Sequence, residues 1–238
     1  MTAPVRTMLT AALGADLANA SFALAQRFSA GATMWCIAPA LSPHAQHVAV
    51  EFVHPVVVGK RALPAVALAG HDLVGQARVS ARTGDVVIAV AGAADPDVRA
   101  VMRRAAAWGV TTIWIGNGER PAVGAADHVL WLDDPDPRLH ATGEFVLMYH
   151  LLWELTHVCF EHPGLLTPRS RDCTDDVCIT CRDEGHPGEV LVSADGTTAS
   201  VRTAQGTETI ATDLTGPLSA GDLVLVHAGL AISKLSES

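Results

Sequence analysis

Three cysteines in the last third of the chain are the residues whose type and spacing best suit chemistry. Cys173, Cys178 and Cys181 lie in a polar, loop-like stretch. In a cytosolic protein, a reduced thiol in such a stretch is more often a metal ligand or a nucleophile than half of a disulfide. Cys36 and Cys159 instead lie inside apolar runs, where a thiol behaves as a small hydrophobic group. We therefore take the first three as candidate ligands.

Other interpretations of these thiols remain open. Cys178 and Cys181 form a single C-x-x-C pair, whereas a complete structural zinc site normally needs two such halves. His186 could complete a site of three cysteines and one histidine, although its spacing is short for a zinc ribbon. An ordinary loop with reduced thiols is the third interpretation.

The elements ahead of the cysteines predict an α/β domain over residues 1–162. Strand-length apolar runs occur at residues 34–38, 65–69, 86–90, 112–115 and 129–132. Apolar positions at helical spacing predict an opening helix, or a pair of helices, up to about Ala30, further helices such as 44–53 and 97–108, and a closing helix over 141–159. This alternation is typical of a parallel sheet covered by helices on both faces.

A polar linker over residues 163–174 leads to a second domain, which we expect over residues 175–238. Short strands are predicted at residues 190–192, 199–202, 207–211 and 223–228, and turn residues stand at Asp195-Gly196 and Gln205-Gly206. Four short strands in so few residues predict a small β-barrel.

Composition narrows the function classes. The chain has 238 residues, 49% of them hydrophobic and 17% charged, which is enough for one large domain and a small one. No apolar stretch approaches the roughly 20 residues that span a bilayer, and no charged leader precedes an apolar run, so we expect a cytoplasmic protein without membrane contact. The net charge is −9, with ten acidic against three basic residues from Asp175 onward. This charge disfavours nucleic acid and favours protein partners.

The second domain resembles the HypC/HupF hydrogenase-maturation chaperones. Pro187-Gly188-Glu189-Val190 matches the step into the family's first strand, and 221–232, which reads G-D-L-V-L-V-H-A-G-L-A-I, matches its closing strand. The resemblance implies a small OB-like barrel that helps deliver an Fe(CN)2CO unit to the large subunit of a [NiFe]-hydrogenase. It implies a cysteine thiolate, Cys178 or Cys181 with Cys173 nearby, as the transient iron ligand.

The same resemblance implies partners. These are a HypD-type iron–sulfur scaffold protein and the large-subunit precursor, and His227 would lie near the thiols or contact a partner. Strand alternation puts Leu225 and His227 on one face and Val226 and Ala228 on the other.

The first domain resembles a sugar-isomerase (SIS) domain of the phosphoheptose-isomerase type. The runs at 45–52, 62–68, 84–88, 125–128 and 150–155 carry the likeness. His47 and Glu51 match the family's H-x-x-x-E helix, and His150 matches a late histidine; in the family these groups and a glutamine hold zinc. Thr142 stands where the glutamine would be. The resemblance thus implies a zinc site or its remnant, and self-association through this domain.

The loops that bind phosphate in the SIS family differ here. Residues 37–41 read I-A-P-A-L and residues 90–95 read V-A-G-A-A-D, with no hydroxyl group and one added carboxylate. A backbone cradle for phosphate needs glycine and free N–H groups, and proline removes one. We therefore predict a non-catalytic SIS-like domain. The alternatives are a metal-dependent isomerase acting through His47, Glu51 and His150, and a domain that senses a small ligand.

Overall fold

The computed structural model describes residues 10–136, 138–141, 143–166, 185–194 and 196–235, with His140 described by its backbone alone. The chain divides into two compact units. The first comprises Met1–Arg103 and Thr111–Thr167, and the second comprises Arg104–Val110 and Pro168–Ser238. None of the helices in the described part of the chain is long and apolar enough to span a membrane.

The α/β region contains a five-stranded parallel sheet with the strand order β2-β1-β3-β4-β5. Its strands are β1 (Met34–Ile37), β2 (Ala65–Ala67), β3 (Val86–Val90), β4 (Thr111–Asn117) and β5 (His128–Leu132). The helices are α1 (Ala11–Ser29), α2 (Ser42–Val53), α3 (Leu73–Ser80), α4 (Pro96–Trp108) and α5 (Gly143–Glu161). The predicted α/β class is confirmed.

Burial explains why these segments form strands and helices. All five residues of β3 are buried, as expected of a central strand covered on both faces. The opening segment is a single helix, α1, which Thr10 caps by accepting a hydrogen bond from the Leu13 backbone N–H at 3.1 Å. Leu17 of α1 and Leu152 of α5 are buried in the same core as the sheet. The sequence analysis did not identify α3, whose apolar face is short.

The second unit contains a closed five-stranded barrel in the order β10-β8-β7-β6-β9. Its strands are β6 (His186–Ala194), β7 (Thr198–Thr203), β8 (Gly206–Ala211), β9 (Leu223–His227) and β10 (Leu230–Lys234). All neighbouring pairs are antiparallel except β8 and β10, which are parallel. This arrangement confirms the predicted OB-like barrel, with Val190, Val201 and Val226 in its core.

Several strand boundaries differ from the predictions by a few residues, and two of these differences fall in the Pro-Gly step and the closing run of the barrel. We predicted that β9 would extend to Ala228, but it ends at His227. Ala228 and Gly229 have φ values of 50° and 77° and form the tight turn into β10, a strand that was not predicted. We predicted that β6 would begin at Val190, but it begins at His186, because Pro187 and Gly188 lie opposite residues of β9.

Glu189 of the Pro-Gly-Glu-Val run is fully buried within the second unit. Its carboxylate accepts a hydrogen bond from Trp108 Nε1 at 2.7 Å and from Arg104 Nε at 3.2 Å. A buried carboxylate is tolerated only when it is paired and hydrogen-bonded, and both conditions are met here.

Candidate metal site and barrel surface

Three side chains from two helices of the first unit converge on one point. His47 Nε2 lies 3.2 Å from Glu51 Oε1 and 3.2 Å from His150 Nε2, and His150 Nε2 lies 3.4 Å from the same Glu51 oxygen. All three side chains are partly exposed. These are the groups that the SIS resemblance pointed to, and within the described residues they form a cluster able to hold a metal ion.

Helix geometry and packing bring this cluster together. His47 and Glu51 are four residues apart on α2, so their side chains share one face of the helix. The adjacent face of α2 is buried through Val48 and Phe52. His150 lies on α5, a helix anchored by residues such as Met148 and Leu152 in the same hydrophobic core. Burial of the two apolar faces thus sets the positions of the polar groups.

The distances and the types of donor suit a divalent metal ion. Ligand atoms bound to one tetrahedral zinc at about 2.0–2.1 Å lie about 3.3–3.4 Å from one another, close to the separations of 3.2–3.4 Å found here. Two histidines and one carboxylate are also the donors that catalytic zinc and non-haem iron use. Thr142, the residue at the glutamine position, lies outside the described residues.

Tyr149 of α5 lies next to His44 and His47 of α2. Its hydroxyl oxygen is 3.0 Å from His47 Nδ1 and 3.4 Å from His44 Nδ1, and its side chain is almost fully buried. Burial, with a further contribution from the negative charge of Glu51, raises the pKa of Tyr149 to about 12. The sequence alone gives Tyr149 no role, and it favours a surface position for His44, although His44 could supply a further donor one turn before His47. The helical spacing of His44 and His47, and the position of Tyr149 beside His150, were the available signals.

The turn between β1 and α2 carries an apolar side chain. Leu41 precedes α2 at the N-cap position without any side-chain cap, and Pro43 occupies the first turn of the helix. The Leu41 side chain packs against the main core of the α/β region. Leu41 therefore offers no hydrogen-bond donor from its side chain before α2, and Pro43 offers no N–H in the first turn.

The loop between β3 and α4 carries a carboxylate at the start of the helix. Asp95 precedes α4, and its carboxylate accepts a hydrogen bond from the Val98 backbone N–H at 3.0 Å. The indole N–H of Trp114 donates to the Ala91 carbonyl at 3.1 Å. Because a carboxylate already takes up a free N–H at the start of α4, this helix end would repel a phosphate.

In the barrel, the structure describes His227 but none of the three candidate thiols. His227 ends β9, is half-buried, and stands opposite Leu230. Cys173, Cys178 and Cys181 lie outside the described residues. His186 lies opposite Val226 on the neighbouring strand, and its Nε2 is 2.9 Å from Glu208 Oε1. The predicted proximity of His227 to the thiols stays a prediction, as does a zinc site that includes His186.

The barrel matches a known protein family. Residues 184–238 match the HupF/HypC family. The match covers the whole described barrel and includes both the Pro-Gly step and the closing run, so we call this part the HupF/HypC module. A search of curated proteins gave no match for the chain.

The α/β region is similar to solved structures of other proteins. A phosphoheptose isomerase from Francisella tularensis is similar with a TM-score of 0.54 at 17% identity, over 62% of this chain and 88% of that protein. Phosphoheptose isomerase GmhA from Neisseria gonorrhoeae gives a TM-score of 0.49 at 17% identity, over 63% of this chain and 87% of that protein. At this level of identity, the first likeness establishes an SIS-type fold.

Asp222 of the HupF/HypC module is a further residue that sequence reasoning did not single out. Its carboxylate accepts a hydrogen bond from the Ser219 backbone N–H at 2.8 Å and pairs with Lys234 Nζ at 3.0 Å. The hydrogen bond from Ser219, with a smaller contribution from Lys234, lowers the pKa of Asp222 below its usual value. Asp222 thus connects the turn before β9 to the end of β10.

Proposed function

We propose that this protein is a hydrogenase-maturation chaperone. Its HupF/HypC module would help to deliver the Fe(CN)2CO unit to the large subunit of a [NiFe]-hydrogenase. The observation that carries this proposal is the family match over residues 184–238. The pairing of Pro187-Gly188 with the closing strand in one closed barrel supports it, because the two family motifs then belong to a single structural unit.

The chemistry of the cargo points to the thiols. A thiolate is a soft donor suited to an iron centre that carries cyanide and carbon monoxide. We assign the iron-ligand role to Cys178 or Cys181, with Cys173 as a further candidate, and a role in partner contact to His227. The partners would be a HypD-type scaffold protein and the large-subunit precursor, in the cytoplasm, and the SIS-like unit would self-associate.

In this proposal, the SIS-like unit does not isomerise sugar phosphates. Leu41 fills one loop of the kind that would hold a phosphate, and the Asp95 carboxylate caps the helix that follows the other. Calorimetry of the full-length protein with sedoheptulose 7-phosphate should therefore give no binding heat. Binding that inorganic phosphate competes away would instead support an isomerase.

A metal site in the SIS-like unit is the second candidate function, supported by the spacing of its donor atoms. His47, Glu51 and His150 would hold zinc or another divalent ion and leave a coordination position open. Such an ion would supply Lewis acidity toward a carbonyl group. The loops described above favour an uncharged small ligand over a phosphorylated one.

The maturation proposal is tested by replacing the thiols one at a time. Cys178→Ala or Cys181→Ala should remove the infrared bands of bound cyanide and carbonyl from the complex of this protein with its scaffold partner. The matched control is Cys159→Ala, which removes a buried thiol from α5 and should leave the bands in place. If Cys173→Ala and both other variants keep the bands, the thiolate assignment is wrong.

A further inference from the structure

A chain of ring nitrogens and one hydroxyl group runs behind the candidate metal site. Tyr149 Oη lies between His47 Nδ1 at 3.0 Å and His44 Nδ1 at 3.4 Å. The Tyr149 ring makes edge contacts with His44, His47 and His150 at centroid distances of 5.2–5.9 Å. The phenol is therefore held in place by packing as well as by hydrogen bonds.

When His47 binds a metal, the protons carried by His47 and Tyr149 determine which group donates and which accepts in each of these hydrogen bonds. Neutral imidazole has one N–H and one bare nitrogen, so Nε2 can bind a metal only when the proton is on Nδ1. That Nδ1–H must then donate, and Tyr149 Oη at 3.0 Å is in position to accept it. A phenol has one proton of its own, which can point to His44 Nδ1.

Without a metal, the same hydroxyl can serve the opposite tautomer. His47 Nε2 would carry the proton and donate to Glu51, while Tyr149 would donate to His47 Nδ1. A hydroxyl can satisfy both arrangements, whereas an apolar ring in its place would leave the Nδ1–H of a metal-bound His47 without its acceptor.

We propose that Tyr149 is a positioning residue that stabilises the metal-binding tautomer of His47, with His44 accepting the phenol proton. This role rests on the proposed metal site and concerns a residue outside its three donor groups. Groups behind metal-bound histidines generally fix the tautomer and ring orientation in this way, and their removal typically weakens metal binding about 10–100-fold.

Tyr149→Phe tests this role, because it removes the hydroxyl group and keeps the ring. Zinc affinity, measured by competition with a chromophoric chelator, should fall about 10–100-fold. His44→Phe should cause a smaller loss, since its contact with the phenol is longer. Thr156→Val is the matched control: it removes another buried hydroxyl from α5, one that bonds to the Leu152 carbonyl, and it should leave affinity unchanged.

Proton NMR of the zinc-loaded protein gives a readout that a purely structural role would not change. The Nδ1–H of His47 should be protected from solvent exchange in the wild type and should exchange faster in Tyr149→Phe. Equal zinc affinity and equal exchange in the two proteins would overturn the inference but leave the metal site in place. If the wild type binds no zinc, the metal site itself is wrong, and the role of Tyr149 falls with it.

Discussion

The two units of this chain differ in the kind of likeness to known proteins that they show. The SIS-like unit shares a fold with a solved structure and carries a metal-type donor set on α2 and α5, with an apolar side chain before α2 and a carboxylate before α4. The HupF/HypC module keeps both the Pro-Gly step and the closing strand that define its resemblance. A fold can persist through its core while loop residues decide what it binds, so fold likeness alone does not assign the chemistry of the first unit.

The largest expected effect is on the free energy of unfolding, and it comes from placing a methyl group at a tightly packed glycine in each region. A methyl group at Gly116 of β4 would collide with the Trp131 ring and the Ala91 carbonyl, whereas one at Gly188 of β6 would approach Val226 at 3.1 Å. We expect Gly116→Ala to lower the free energy of unfolding by about 3 kcal/mol, and Gly188→Ala by about 1 kcal/mol or less.

Urea denaturation of both variants measures this difference. A larger loss at Gly116 would show that the Trp131 ring and the Ala91 carbonyl, which accepts a hydrogen bond from Trp114, leave no room for a side chain at this position of β4. A loss at Gly188 that equals or exceeds the loss at Gly116 would contradict this view of the two regions.

A medium effect is expected at Asp222 of the HupF/HypC module. Its pKa is lower in the folded than in the unfolded state, so its carboxylate stabilises the fold above the unfolded pKa of about 3.9. That stabilisation is lost as the pH falls through the folded pKa. Because the group is partly exposed, we expect Asp222→Asn to cost about 1 kcal/mol at pH 7.

Thermal unfolding of the wild type and Asp222→Asn between pH 7 and pH 2 tests this expectation. The two curves should converge at the acid end, where both side chains are neutral. Asp213→Asn is a control at an exposed carboxylate of the same module. A difference that is constant with pH would rule out the proposed link between Ser219, Asp222 and Lys234.

The smallest expected effect is a change in the stability of the barrel, and it comes from the turn after His227. Ala228 has a positive φ, which costs free energy for a residue with a Cβ, whereas Asn-Gly is the preferred pair for a turn of this kind. Ala228→Asn should therefore stabilise the barrel by about 0.5 kcal/mol. Differential scanning calorimetry would detect the shift, and a lowered melting temperature would mean that the methyl group of Ala228 makes a contact worth more than the strain.

Periodic apolar runs predicted most of the fold. The strand at residues 86–90 is predicted by its all-apolar composition, and the four barrel strands by side-chain alternation and turn residues. The predicted barrel core is only partly correct: Val190, Val201 and Ile210 are buried, but Val192 is exposed. On β9, Val224 and Val226 are buried instead of the predicted Leu223 and Leu225. Strand β10 was missed because its outward residues are exposed and it follows a turn that begins with alanine rather than the usual asparagine or glycine.

The candidate sites were predictable only where the spacing is local. His47 and Glu51 share a helix face by their separation of four residues, but their contact with His150 depends on how α2 and α5 pack. Tyr149 and Glu189 were not predicted as site residues, since a buried tyrosine usually belongs to a core and an acidic strand residue usually faces solvent. Their roles arise from neighbours distant in sequence, His47 and Trp108.

We expect the two units to contribute differently to hydrogenase maturation in the cell. [NiFe]-hydrogenase activity should be assayed in cells whose own copy of this gene is replaced by variants of the full-length chain. A variant that carries Cys178→Ala and Cys181→Ala should yield no active enzyme, while His150→Ala, which disrupts the candidate metal site, should yield wild-type activity. Full activity from the double cysteine variant would contradict the account.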